Sequence, residues 1–174
     1  MRRLVGRRSA LNQLSWRCWC DTAAISQNVD IVRALYLPGD IDLVGVFGDD
    51  AQANAIAALL ASLADADYEF IDHDLPDLTG GATGVDGFVA AWRRFLDDWE
   101  SFYLTPVEFI ESQDQVVVIS RMRGRSKGKS IPFEGDRAAV WTLRDGKILR
   151  IEQYTNPGDA RTAAGLTNAR SALP

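Results

Sequence analysis

The chain reads as an α+β protein with an antiparallel sheet. Helical segments and one isolated strand come first, a strongly amphipathic helix follows, and after it strand succeeds strand with no helix between them. Helices grouped ahead of strands favour α+β over alternating βαβ units. A length of 174 residues fits one domain plus a tail. The 47% hydrophobic and 25% charged composition is that of a globular protein.

The formal charge of −5 is unevenly placed. Residues 1–26 carry five arginines against Asp21, leaving a body of net −9. That segment reads as a basic, flexible tail, and 27–174 as the single domain. Trp16-Arg17-Cys18-Trp19 interrupts any apolar core a secretory signal would need. Cys18 and Cys20, one residue apart, are poorly placed for a disulfide and too few for a zinc cage. Reduced thiols in a cytoplasmic protein are the expectation. An acidic body disfavours nucleic acid as partner, and no run reaches the ~20 apolar residues that span a bilayer.

NVDIVRALYL places Val29, Val32, Leu35 and Tyr36 at helical spacing, with Asn28 as N-cap and Pro38-Gly39 as the stop. The glycines of DIDLVGVFGDD predict a loop or short turn. AQANAIAALLASLA is helical by its alanine and leucine content, and YEFID is a strand. HDLPDLTGGATG is loop, and Thr83 with Asp86 has capping-box spacing. A helix is expected from about Asp86 to Ser101, with Phe88, Trp92, Phe95 and Trp99 on one face. YLTPVEFIES, QVVVISRMRGRSKG, DRAAVWTL and KILRIEQY then supply strands. A three-residue turn at Arg144-Asp145-Gly146 would pair Trp141 with Leu149. Ala139, Trp141, Leu149, Ile151 and Gln153 would then face inward, and Val140, Thr142, Arg150, Glu152 and Tyr154 outward.

YEFID before the loop, GVDGFVAAWRRFLDDW as the long helix and WTLRDGKI as the last hairpin carry a resemblance. In them the chain resembles the nuclear transport factor 2-like superfamily, in its SnoaL-like polyketide cyclase and ketosteroid isomerase branch. The resemblance covers residues 28 to about 166, with DIDLVGVFGDDAQ as an insertion. It implies a cone: a curved antiparallel sheet wrapped around N-terminal and central helices, a cystatin-like α+β barrel. It also implies a hydrophobic internal pocket, a homodimer through the sheet's outer face, and a small hydrophobic ligand. Members include cofactor-free isomerases, cyclases and epoxide hydrolases as well as binding proteins, so the fold leaves function open.

Three catalytic patterns follow from the resemblance, and each is incomplete. Asp72, closing YEFID, matches the general-base aspartate of the isomerases. The strand for the second acid reads Arg137-Ala138-Ala139-Val140-Trp141, without a carboxylate. The cyclase acid/base position falls near Gln153, which can hydrogen-bond a carbonyl but not exchange a proton near neutrality. The epoxide hydrolase pattern needs an arginine between two pocket carboxylates, and ISRMRGR has no acids beside its arginines. Asp72 therefore has two readings, base or turn former. If it is the base, Asp72→Asn should abolish turnover and leave the melting temperature nearly unchanged.

His73 is the sole histidine. It is a candidate proton carrier beside Asp72, and a metal site from Asp72, His73, Asp74 and Asp77 lacks the fixed spacing of a helix-borne motif. Arg121, Arg123, Arg125, Lys127 and Lys129 alternate at period two and belong on a solvated face, because a cone interior could not desolvate five cations. An anion held by Arg121 or Arg123 is the competing reading. The solvated-face reading turns Val116, Val118, Ser120 and Met122 inward. Gly81, Gly84 and Gly87 lack the context of a phosphate loop. Trp92, Phe95, Ser120, Met122, Trp141, Ile151 and Gln153 are the expected ligand-binding wall. No metal or cofactor is called for, and a non-catalytic binding module is the alternative function.

Overall fold

A computed structural model describes residues 27–37, 39–75, 78, 83–129 and 132–166. The basic segment 1–26 and its cysteines lie outside the described residues. The elements are α1 (Gln27–Arg33), α2 (Leu43–Gly48), α3 (Asp50–Leu63), β1 (Ala64–Asp72), α4 (Gly84–Leu96), β2 (Trp99–Ser112), β3 (Gln115–Ser126), β4 (Pro132–Arg144), β5 (Lys147–Tyr154) and α5 (Pro157–Ala163). The α+β class is as the sequence predicts. The sheet is a single one of order β1-β5-β4-β3-β2, antiparallel except where β1 runs parallel to β5. It is mixed and open, with β1 and β2 as its edges, and only β1 departs from the antiparallel pairing expected.

Several local expectations are corrected. DIDLVGVFGDD contains a helix, α2, despite its two glycines. Asp42 caps it by accepting from Val44 N at 3.1 Å and also accepts from Phe102 N at 2.9 Å, tying the helix start to β2. Leu43, Val46 and Phe47 are then buried, so tertiary packing outweighs the glycine penalty. The first helix begins by Gln27, placing Asn28 inside it rather than at its cap. Thr83 makes no side-chain capping bond at the start of α4. Trp99 belongs to β2, yet its ring still meets Phe95 at 5.9 Å, so the aromatic cluster survives the helix end.

The β4–β5 turn has two residues, since Asp145 and Gly146 both have positive φ, 52° and 74°. That is the geometry of a tight hairpin turn matching strand twist. The ladder pairs Arg144 with Lys147 and Leu143 with Ile148, then shifts so that Trp141 meets Ile151 and Ala139 meets Gln153. Ile148, rather than Leu149, is therefore fully buried beside Ile151. On β3 the ladder to β4 runs unbroken past Gly124. A Cβ at Gly124 would lie 2.7 Å from the Trp99 ring and 2.8 Å from Ser101 O, so this position admits only glycine. Arg121, Arg123 and Arg125 are exposed, while Val116, Val118, Ser120 and Met122 are buried.

The inner face of the sheet packs Val116, Val118, Trp141, Ile148 and Ile151 against Val32, Leu60 and Tyr68. A second cluster joins α2, α4 and β2 through Phe47, Leu96, Phe102 and Met122. On the outer face Val117, Ile119, Ala138 and Val140 pack with Ala160 and Ala164. Val140, expected to face solvent or a partner, is thus covered by α5. No helix among the described residues is long and apolar enough to cross a membrane.

The edge strand β1 is pinned at its start by the β4–β5 turn. Arg144 Nη2 reaches Asp65 Oδ1 at 2.6 Å and Asp67 Oδ2 at 2.7 Å. The hydrogen bond from Arg144 holds the Asp65 carboxyl below its usual range. A carboxylate whose pKa is depressed by folding stabilises above its unfolded value, about 3.9, and loses that contribution as pH falls through the folded value. Arg144→Gln should therefore lower the melting temperature slightly at pH 6, and the gap should narrow progressively in scans taken below about pH 3.9.

Candidate functional site

The inward side chains near one end of the sheet form a polar row within an otherwise apolar face. Asp72 ends β1 and lies opposite Gln153 of β5. Gln153 pairs with Ala139 of β4, and Arg137, two residues earlier, pairs with Ser120 of β3. Period two carries Arg137 onto the same face as Ala139 and Trp141. All four polar members are buried: Asp72 is 5%, Ser120 3%, Arg137 7% and Gln153 7% exposed.

Arg137 holds the row together. Its Nη2 donates to Asp72 Oδ2, and its Nε donates to Gln153 Oε1 at 3.0 Å. The other carboxylate oxygen, Asp72 Oδ1, accepts from the backbone N–H groups of Asp74 at 3.1 Å and Leu75 at 2.9 Å. The guanidinium lies over the Phe95 ring, 5.7 Å from its centroid. Two opposite charges are thus taken out of water together, with further hydrogen bonds for each, which is the arrangement a buried pair requires.

Two cavities adjoin the row and share Trp92 and Gln153 as wall residues. The larger lies between the helices and the sheet, lined by Ile41, Phe47, Trp92 and Trp141 among other apolar side chains. It has about 70 Å³ of room for the centres of water molecules. One water needs roughly 10–15 Å³ on that measure, so the space suits several waters or a small organic molecule. The smaller cavity is bordered by Phe70, Asp72, Phe95 and Arg137.

Tyr36, at the end of the first helical segment, brings its hydroxyl to the wall of the larger cavity. Trp141 Nε1 donates to it at 3.3 Å, and Ser120 is a further hydrogen-bond partner. Burial pushes the Tyr36 phenol up, against the opposing pull of those partners and of Arg137, so it stays protonated.

The expected site residues divide into groups. Trp92 and Gln153 border both cavities, Trp141 the larger, and Asp72 and Phe95 the smaller. Ser120 lines neither cavity and is a hydrogen-bond partner of Tyr36. Met122 and Ile151 are core residues that line neither cavity. His73 faces away from the row: it is exposed, stacks on Tyr154 at 4.5 Å, and approaches Glu152 Oε1 at 3.1 Å. Strand alternation accounts for this, since the residue after an inward Asp72 turns outward. Arg121 and Arg123 instead approach Asp136 at 3.7 Å and Asp40 at 2.8 Å. Among the described residues no group of three His, Cys, Asp or Glu could hold a metal ion.

Arg137 and Tyr36 are absent from the sequence-derived site. An arginine was sought in ISRMRGR between two carboxylates; the buried one is Arg137, between one carboxylate and one amide. Its signal was the same period-two register that turned Ala139 and Trp141 inward. Tyr36 had no signal beyond its place on an apolar helix face.

The buried pair also reverses the expectation for Asp72→Asn. Removing one partner of a buried pair typically costs about 3–5 kcal/mol, because the other charge is left unpaired. At about 2–4 °C per kcal/mol for a domain of this size, thermal unfolding followed by circular dichroism should show a fall of roughly 6–20 °C. Adding Arg137→Met should recover much of the loss. A single variant that melts within a degree of the parent would show that the pair contributes little.

Comparison with known proteins agrees with this architecture. A family model described as a SnoaL-like domain matches residues 49–151. No curated protein sequence matches the chain. Among solved structures, a nuclear transport factor 2-like protein of unknown function from Burkholderia pseudomallei K96243 aligns with a TM-score of 0.54 at 20% identity, over 79% of this chain and 97% of that one. A nuclear transport factor 2-like protein from Burkholderia xenovorans LB400 aligns at 0.52 and 24% identity, over 79% and 95%. TerC, co-crystallised with polyporic acid, aligns at 0.53 and 21% identity, over 80% and 99%. Identities this low speak to the fold alone, but the family model spans more than half of the sequence: the chain belongs to the SnoaL-like domain family.

Proposed function

We propose that the protein binds a small, largely apolar organic molecule in the larger cavity, with its polar end toward Gln153. The observation that carries this is the cavity itself: an apolar, aromatic-walled space ending in a buried polar row. Apolar pockets with a few convergent polar groups are the usual form of small-molecule sites. Trp92 and Trp141 in the wall provide a built-in reporter. Titration with 1-indanone, a small aromatic ketone, should change tryptophan fluorescence saturably. Ile41→Trp, which fills the cavity from its wall, should abolish that response without lowering the melting temperature. Failure of the parent protein to bind 1-indanone, 1-indanol or indane would overturn the reading.

A second reading adds cofactor-free acid–base chemistry, with Asp72 as the base acting through one water in the smaller cavity on a ligand held in the larger. Among the described residues it is the only carboxylate that borders either cavity. Three donors occupy its oxygens, and a carboxylate has about four acceptor positions, so one remains for the water that would relay a substrate proton. In deuterated buffer the protein should then speed exchange of the protons beside the 1-indanone carbonyl, as read by NMR. Asp72→Asn should lose the acceleration while still binding the ketone below its melting temperature, and His73→Ala should keep it. Exchange no faster than in buffer would leave binding as the function.

A further inference from the structure

Gln153 does more than line the wall. We infer that Arg137 fixes the orientation of its amide so that the NH2 group faces the larger cavity, and that this selects ligands carrying an acceptor oxygen without a proton of its own, as in a ketone or quinone carbonyl. The inference rests on the ligand-binding reading and deepens it.

A guanidinium has five N–H donors and no acceptor. The group 3.0 Å from Arg137 Nε must therefore be the amide oxygen of Gln153. The flipped amide would set donor against donor inside a buried site, which costs the full desolvation of both. With Oε1 turned to Arg137, Nε2 points away from it. Arg137 borders only the smaller cavity and Gln153 borders both, so the side away from Arg137 is the larger one. Asp72 takes the other arm of the guanidinium and holds it in place. Arg137 and Asp72 thus act as positioning residues for an amide one strand away.

Two of the other polar groups on that wall are engaged with one another. Trp141 Nε1 donates to Tyr36 Oη, and Tyr36 has Ser120 as a further partner. That leaves Gln153 Nε2, beside the Trp92 indole N–H, as the wall's donor next to the polar row. A carbonyl can accept from it with nothing left over. An alcohol can accept too, but its own proton is then buried among apolar side chains, and a hydrocarbon leaves the amide unpaired.

The test compares 1-indanone, 1-indanol and indane, which share one ring skeleton, by tryptophan fluorescence. The parent protein should bind the ketone about tenfold more tightly than indane, with the alcohol between them. Gln153→Glu retains an oxygen for Arg137 Nε and turns its second oxygen to the cavity, so the order of ketone and alcohol should invert. Asp72→Asn combined with Arg137→Gln frees the amide to flip. It should bring ketone and alcohol to equal affinity, each compared with indane on the same variant, a result that loss of packing alone would not produce. Equal binding of all three by the parent protein overturns the inference even if Gln153→Glu does not fold. Binding of none of them overturns the pocket reading itself.

Discussion

The arrangement of the site depends on one buried ion pair. Arg137 and Asp72 come from strands that are not neighbours, since β5 lies between β4 and β1. Their contact spans β5 and encloses Gln153, so a single guanidinium adds a side-chain tie to the backbone ladder that joins the end of β1 to β5. Two charges removed from water are a poor source of net stability compared with apolar packing, but they are costly to separate. The pair therefore acts less as glue than as a constraint on geometry: with Arg137 present, Asp72, Gln153 and the end of β1 have few other places to be.

The parallel pairing of β1 with β5 makes this contact possible. A strand arriving from α3 and joining β5 in the same direction brings its C-terminal residue, Asp72, level with Gln153 near the end of β5. The helices then cover the remaining inner face, and the space they do not fill becomes the cavity. Trp92 from α4 and Gln153 from β5 stand between that space and the ion pair. Fold and site are thus coupled at two side chains, one aromatic and one amide.

Much of this was legible in residue order. The α+β class, the aromatic face of α4, the solvated arginines of β3 and the inward set of Trp141, Ile151 and Gln153 all follow from periodicities of 3.6 and 2, because burial of one face leaves a regular trace. α2 was not legible. Its two glycines argue against a helix, and only the Asp42 bridge to Phe102 and the burial of Phe47 overcome that tendency. The helix α5, which covers Val140, left no pattern long enough to read. The hairpin was misjudged by one residue, and one residue suffices to exchange Leu149 for Ile148 in the core.

What the sequence determined by itself is what local chemistry determines: which of the longer segments are helix or strand, which face each buries, and that Gln153 lies on an inward-facing position. Only the tertiary structure decided that Asp72 is paired, that Arg137 is its partner, and that Tyr36 and Trp141 meet at the cavity wall. Those contacts join residues 65 and 105 positions apart. No local pattern encodes them, because the energy that brings a buried arginine to its carboxylate exists only once the sheet has assembled around both.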